Sequence, residues 1–403
     1  MILKNELEKV VLKQQESLKK ELGIYRELEI KILPKFATII SGIRRCGKST
    51  LARQYLKDKK VIYYTNFEDI NLIGFEAKDF IKLDEIFKEV LGEKGIYFFD
   101  EIQNIGGWEI FIRQLVDGGE KIIITGSNAR MLSKELGTKL TGRHISKELY
   151  PFSYTEFLNF RNRKHNLTLF EEYLKNGGIP EFLKSKDKEI LSNLFQDIFY
   201  RDVMLRNELR NEVSIRTLLH YAISNTGKET SYNKLKELIG AGSGNTISQF
   251  IDHFEQAYLL FAIKKFDFSL KKQNINPKKI YCIDNGLIGQ NAFTFTENRG
   301  RILENTVFLQ LKRWGEEIFY HKGKYECDFV VRKGMKISQA IQVCYELNYD
   351  NKEREINGSL EAIMTHNLKT GLILTFNQED KLEIDEKIIF IKPVWKWLLN
   401  TNS

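Results

Sequence analysis

The chain has 403 residues, and 62 Lys plus Arg against 54 Asp plus Glu leave a formal net charge of +8. Its 42% hydrophobic and 12% aromatic content can fill several cores, which excludes a disordered or fibrous protein. Four scattered cysteines without a Cys-x-x-Cys pair exclude a disulfide framework and a structural zinc site, and no apolar run approaches the roughly 18 residues of a membrane span.

The amino terminus carries Lys and Glu from residue 4 onward and lacks the apolar core of a signal peptide. With reduced thiols, it leads to the expectation of a cytoplasmic protein without a membrane partner. Apolar and charged residues alternate at helical spacing over Asn5–Glu27, predicting a leading helix. Short apolar runs follow at Ala37–Ser41, Val61–Tyr64, Gly95–Phe99, Lys121–Thr125 and Ile145–Leu149. Amphipathic stretches separate them, which predicts an α/β parallel sheet. Residues 152–203 read as helical, broken at Asn176-Gly177-Gly178-Ile179-Pro180. Three helices and two strands are expected from Asn211 to Ile283, the order of a winged helix-turn-helix. From Arg301 a long helix precedes further strands, and a helix at Trp395–Leu399 ends the pattern. The expected division is a nucleotide-binding core with its leading helix over 1–150, a helical lid over 151–205, a winged-helix domain over 206–283 and an α/β C-terminal domain over 284–403.

The segment Gly42-Ile43-Arg44-Arg45-Cys46-Gly47-Lys48-Ser49-Thr50 fits the P-loop pattern G-x-x-x-x-G-K-[ST]. Gly42, Arg45, Cys46, Gly47, Lys48, Ser49 and Thr50 are the candidate phosphate-binding residues. Their backbone N–H groups and the start of the following helix would face phosphate oxygens. Lys48 would contact the β- and γ-phosphates, and Ser49 would ligate Mg²⁺. Some 50 residues on, the run Ile96-Tyr97-Phe98-Phe99 ends in Asp100-Glu101. Asp100 is the second candidate Mg²⁺ residue, and Glu101 the candidate for orienting and polarising the attacking water.

Residues 36–150 resemble an AAA+ ATPase core, which implies ATP as the nucleotide. The resemblance implies a polar sensor at Asn128 or Ser127, with capping of the next helix as the plainer alternative for Asn128. It also implies an arginine finger at Arg143 acting on a neighbouring copy, hence a homo-oligomer; a surface salt bridge is the alternative. Gly177-Gly178-Ile179-Pro180-Glu181 and Arg201-Asp202-Val203 extend the likeness over nearly the whole chain. Together the motifs resemble a family of prokaryotic AAA+ ATPases that carry a C-terminal nuclease-like domain.

The charge is uneven. Residues 206–282 hold 12 basic and 7 acidic residues, whereas residues 283–403 hold 16 and 17. The presumed recognition helix, Gly244–Leu260, has no Lys or Arg, so base reading is not expected. Lys264, Lys265, Lys271, Lys272, Lys278 and Lys279 in the wing are the candidates for non-specific nucleic-acid contact; simple surface solvation is the alternative. Glu304, Glu326-Cys327-Asp328-Phe329-Val330 and Ile341-Gln342-Val343-Cys344 resemble a PD-(D/E)xK, restriction-endonuclease-like core. The resemblance implies Glu304, Asp328 and Gln342 as metal ligands. Cys344 stands at the lysine position, and Lys322, Lys324 or Lys336 are the replacements considered. A degenerate nuclease fold is therefore expected. The expected activity is Mg²⁺-dependent ATP hydrolysis driving a switch or machine that acts on nucleic acid. An ATP-gated nuclease and a non-catalytic, ATP-responsive assembly scaffold are the alternatives.

Overall fold

The computed structural model describes residues 2–19, 21–128, 142–292 and 299–399. They form two compact units, Met1–Tyr150 with Gln256–Tyr258, and Pro151–Glu255 with Leu259–Ser403.

The first unit is built on five parallel strands, β1 (Ala37–Ser41), β2 (Ile62–Asn66), β3 (Ile96–Asp100), β4 (Lys121–Gly126) and β5 (His144–Glu148), in the order β2-β3-β4-β1-β5. β1, β3 and β4 are almost wholly buried, as expected of parallel strands covered on both faces. Side chains alternate between the faces with period two. One face presents Ala37, Ile39, Tyr63, Tyr97, Phe99, Ile122 and Ile124. Against it lie helices α1 (Lys4–Ser17), α3 (Asp79–Leu91) and α4 (Trp108–Asp117), while α2 is Lys48–Leu56. The rings of Phe80 and Phe111 stack at 4.7 Å, and Phe80 meets Phe75 edge-on at 5.0 Å. Each such buried ring contributes about 1.5–3 kcal/mol. Because every strand runs the same way, the loops after β1, β3 and β4 emerge side by side along one edge.

The leading helix ends at Ser17 rather than near Glu27. Gly23 turns the chain at φ +60°, and the Gln54 side chain of α2 holds the irregular segment around it. Its amide donates to the carbonyls of Leu22 (2.9 Å) and Ile24, and its carbonyl accepts from Arg26 N at 3.2 Å. Local helical periodicity gives way to these tertiary hydrogen bonds.

The second unit begins with helices Tyr154–Arg161, Leu167–Asn176, Pro180–Ser185 and Lys188–Asp197, followed by a π-helical stretch, Ile198–Leu205. Ser153 and Glu156 form a reciprocal capping box at the first of them. The Gly-Gly-Ile-Pro break has a steric cause: a Cβ on Gly178 would lie 2.4 Å from the carbonyl oxygen of Phe152. Gly178 N also donates to the buried Asp284 carboxylate at 2.6 Å, and Asp284 accepts from Gly286 N at 2.8 Å. Burial pushes the Asp284 carboxyl up to about 6 despite these donors.

Nine strands of this unit form one mixed sheet: β6 (Glu229–Thr230), β7 (Leu260–Lys265), β8 (Lys278–Cys282), β9 (Glu317–Lys322), β10 (Glu326–Lys333), β11 (Lys336–Val343), β12 (Thr370–Thr375), β13 (Asp380–Ile384) and β14 (Lys387–Pro393). The order is β13-β14-β12-β11-β10-β9-β7-β8-β6. The boundary placed at 283/284 therefore cuts a continuous sheet, because β7 pairs with β8 on one side and runs parallel to β9 on the other. The helices Glu212–Ser224, Tyr232–Ile239 and Gly244–Gln256 precede β7 in the expected order.

That pairing corrects two of the six expected nucleic-acid contacts. Every residue of β8 is buried, Lys278 and Lys279 included. The Lys278 ammonium donates to the backbone carbonyls of Gln273 and Asn274, each at 2.9 Å, and to that of Asn276. Lys279 is 1% exposed and turned to carboxylates. A lysine spent inside the sheet cannot meet a phosphate backbone. Lys264, Lys271 and Lys272 are exposed and Lys265 half-buried.

Candidate functional site

At the edge where β1, β3 and β4 end, the first unit gathers its polar side chains. Gly42 follows β1 with φ +154°, and a Cβ there would sit 2.2 Å from the Leu149 carbonyl oxygen. Only glycine lets the loop lie this close to the chain beyond β5. The loop ends at Gly47, the N-cap of α2, so the positive end of that helix faces the loop. The Lys48 ammonium is buried and bound to the carbonyls of Gly42 and Ile43, both at 3.2 Å, and to Glu101 Oε1 at 3.3 Å. Burial lowers its proton affinity, but Glu101, Cys46 and Asp100 together outweigh this, and the net shift is upward. Lys48 is therefore charged.

Ser49 Oγ donates to Asp100 Oδ1 at 2.9 Å, Thr125 Oγ1 donates to the same oxygen, and Tyr64 OH approaches Oδ2 at 3.5 Å. Burial, then the neighbouring Glu101, raise the Asp100 pKa. Glu101 has φ +52°, a left-handed conformation uncommon outside glycine. It is fixed by its N–H donating to Thr125 Oγ1 at 3.1 Å and by Gln103 Nε2 donating to Oε2 at 2.6 Å. Burial would raise the Glu101 pKa, but Lys48, Gln103 and Arg44 hold it below the ordinary value. The carboxylate is thus ionised at neutral pH, the form that accepts a proton or a water hydrogen bond.

These residues fit a magnesium nucleotide. Ser49 and Asp100 supply a hydroxyl and a carboxylate side by side, hard oxygen ligands of the kind Mg²⁺ takes beside phosphate oxygens. Ser127 Oγ, just past β4, is buried without a hydrogen-bond partner among the described residues, as is Gln103 Oε1. Such orphaned atoms on a polar edge are what a ligand would satisfy. Asn128 is buried beside Ser127. Cys46 is buried in the loop, its thiol 3.4 Å from the Leu149 carbonyl oxygen. Arg45 is exposed with φ +60°, and Thr50 is half-buried in the first turn of α2.

Arg143 is not brought to this edge within the chain. It immediately precedes β5, opposite the start of β1, where its carbonyl accepts from Ala37 N at 3.1 Å. Its guanidinium pairs with Asp117 at 2.5 Å on the surface. Conversely, Arg26 belongs to the site and had no sequence signal beyond Gly23 interrupting the helical pattern. It is 3% exposed and donates to the carbonyls of Cys46 (2.5 Å) and Tyr150 (2.7 Å). A cation thus braces the phosphate loop from behind. Thr125 and Tyr64, which orient Asp100, carried no signal either.

In the second unit, Glu304, Asp328 and Gln342 do come together. Asp328 N donates to Gln342 Oε1 at 3.0 Å, and the Lys279 ammonium reaches Asp328 at 2.7 Å and Glu304 at 3.2 Å. Burial, then Asp328, push Glu304 up to about 8. Lys322 instead pairs with Glu326 at 2.7 Å, and Lys324 and Lys336 are exposed. The cation beside these carboxylates is therefore Lys279, which the sequence pattern had placed on a wing. Among the described residues, no group of three or more His, Cys, Asp or Glu is arranged to hold a metal ion, and no helix is long and apolar enough to cross a membrane.

A protein-family profile described as an AAA domain matches residues 34–158, and one described as a domain of unknown function matches residues 167–297. The chain is 38% identical to the uncharacterized protein MJ1544 of Methanocaldococcus jannaschii, over 97% of this chain and 95% of that one. It is 31% identical to an uncharacterized protein of Haemophilus influenzae, over 90% and 94% of the two chains. Identity to the uncharacterized protein MJ1637 of M. jannaschii is 24%, over 95% of this chain and 87% of that one. The AAA match spans every strand and side chain of the P-loop edge except Arg26. The chain belongs to the family of these archaeal and bacterial proteins, with an AAA-type ATPase domain at residues 34–158.

Proposed function

We propose that the protein binds Mg²⁺-ATP at the P-loop edge and hydrolyses it to ADP and phosphate as a conformational switch. The observation that carries this is the placement of Lys48, Ser49, Asp100 and Glu101 on one edge of the parallel sheet, with a charged lysine and an ionised glutamate 3.3 Å apart. Lys48 exchanges the Gly42 and Ile43 carbonyls for phosphate oxygens, which are stronger, charged acceptors. Glu101, released from Lys48 but still held by Gln103 and Thr125, orients a water and accepts its hydrogen bond. Ser127 and Asn128 lie past β4 as donors to the terminal phosphate. When bound through Ser49 and Asp100, Mg²⁺ neutralises charge on the phosphate oxygens. Catalysis of this kind rests on positioning and electrostatics, which buried, prearranged groups supply. Turnover of ATP by the full chain tests it: phosphate release that needs Mg²⁺ and disappears in Lys48→Ala and Asp100→Asn supports the assignment, and release indifferent to both defeats it.

Arg143 acts in trans in this reading, in a homo-oligomer whose neighbour displaces the Asp117 pair. Mixing Arg143→Ala and Glu101→Gln subunits then restores part of the activity; no restoration removes the argument for a trans finger. Nucleic acid is the proposed effector through the four lysines whose side chains are not buried, Lys264, Lys265, Lys271 and Lys272. Stimulation of turnover by DNA or RNA is the result expected.

A further inference from the structure

A cavity of about 610 Å³ opens in the second unit, lined among others by Arg301, Lys324, Glu304, Glu326, Asp328 and Gln342. That is the size of a small-molecule site. Its carboxylates are already engaged. Lys279, behind them and 1% exposed, reaches Asp328 Oδ1 at 2.7 Å, Glu326 Oε1 at 2.7 Å and Glu304 Oε1 at 3.2 Å. Asp328 Oδ2 accepts from Val343 N at 3.0 Å, and Glu326 Oε2 from Lys322 at 2.7 Å. Glu304 Oε1 also accepts from Tyr281 OH at 2.7 Å. Gln342 is spent at both ends, accepting from Asp328 N at 3.0 Å and donating to Glu355 at 2.5 Å. Arg354 pairs with Glu355 at 2.5 Å.

A divalent ion needs several oxygens with free lone pairs and a net negative set. Here a lysine supplies the positive charge, and every oxygen of the three carboxylates except Glu304 Oε2 accepts a hydrogen bond or ion pair among the described residues. Two cations remain: Arg301, half-buried, and Lys324, exposed, line the cavity, and among the described residues neither charged group makes a hydrogen bond or ion pair, the Lys324 ammonium lying 5.2 Å over the Tyr325 ring. An unpaired guanidinium beside neutralised carboxylates favours an anion, and its planar fork suits phosphate.

We propose that this cavity is a metal-independent site for a phosphate-bearing anion, in which Lys279 is the resident cation of the carboxylate set and Arg301 with Lys324 hold the ligand. It does not depend on the ATPase assignment. Two measurements on the full chain test it. In the first, Mn²⁺ is titrated without nucleotide and free Mn²⁺ is read by electron paramagnetic resonance. The wild type and Asp328→Asn behave alike. Lys279→Met gains one site at least tenfold tighter than any in the wild type, and its melting temperature rises with Mn²⁺. Lys279→Met/Asp328→Asn loses that site. A wild-type Mn²⁺ site that Asp328→Asn removes overturns the proposal, as does a folded Lys279→Met that gains none. If Lys279→Met does not fold, the comparison of wild type with Asp328→Asn decides alone. In the second, inorganic pyrophosphate is titrated calorimetrically into the Lys48→Ala chain in EDTA, the substitution keeping the P-loop from competing. Binding that weakens at least tenfold on adding Arg301→Gln and Lys324→Gln is expected; equal binding in the two chains, or none in either, overturns the anion assignment.

Discussion

Each unit of the molecule buries one lysine against carboxylates, and the two are placed differently. Among the described residues Lys48 has a single carboxylate partner, Glu101 at 3.3 Å, and two backbone carbonyls at 3.2 Å. Lys279 has three carboxylates within 2.7 to 3.2 Å. In the proposed function, the first set is traded for phosphate oxygens. The second is a closed pairing, in which burial would lower the lysine's proton affinity but Asp328, Glu304, Tyr281 and Glu326 raise it well above the ordinary value. A buried lysine at a helix start with one acid beside it is poised for an anionic ligand. A buried lysine among three acids does the work of a counter-ion. Charge and burial alone do not separate the two; the count and distance of the acids do.

The contrast can be broken from either side. The largest effect expected is on the P-loop: Lys48→Ala removes the transferable cation, and ATP turnover falls by at least about 100-fold with little change in melting temperature. A full loss of folding would instead make Lys48 a structural counter-ion like Lys279. Next, Lys279→Met removes the cation from two buried carboxylates, Glu304 and Asp328, while the half-buried Glu326 keeps Lys322. Denaturant titration should show destabilisation on the order of 3–5 kcal/mol, and stability near that of the wild type would mean that the pairing is not closed.

A smaller effect belongs to Asp284. Its folded pKa of about 6 lies above the ordinary 3.8. The folded state therefore holds the proton more tightly, and this group's contribution is complete below 3.8 and lost as pH rises through 6. Between pH 4 and 7 the wild type should lose on the order of 2 kcal/mol more than Asp284→Asn; parallel pH curves would contradict the shift. The smallest effect concerns the three exposed lysines and the half-buried Lys265. Changing Lys264, Lys265, Lys271 and Lys272 to Glu should abolish a salt-dependent fluorescence anisotropy signal with labelled DNA while leaving the basal ATPase rate unchanged. DNA binding untouched by the change would make these lysines solvated surface only.

Much of the first unit was legible because its signals are local. The P-loop and the Asp100-Glu101 strand end carry their own spacing, and the five apolar runs fall within two residues of the strands observed. Arg26 was not legible, since its place depends on Gln54 pulling residues 22–26 out of the helical register the sequence suggests. In the second unit the apolar pattern gave strands but not their partners. Lys279 follows Lys278 at the start of an apolar run and reads like any wing lysine, and only the pairing of the strands turns it inward to acids 25 and 49 residues away. Pairing over such separations is set by tertiary packing, which single-strand periodicity does not encode. Gly178 was visible as a break, but its reason, the close approach of Phe152, exists only in the folded chain.

The most direct test of the ATPase assignment is turnover by Glu101→Gln, measured beside nucleotide affinity in the same preparation. Glutamine keeps the shape of the side chain and one of its two acceptor oxygens but cannot take a proton. Affinity for ATP within a few-fold of the wild type, with hydrolysis reduced by about 100-fold or more, is the result predicted. Hydrolysis at the parental rate would contradict the role given to Glu101.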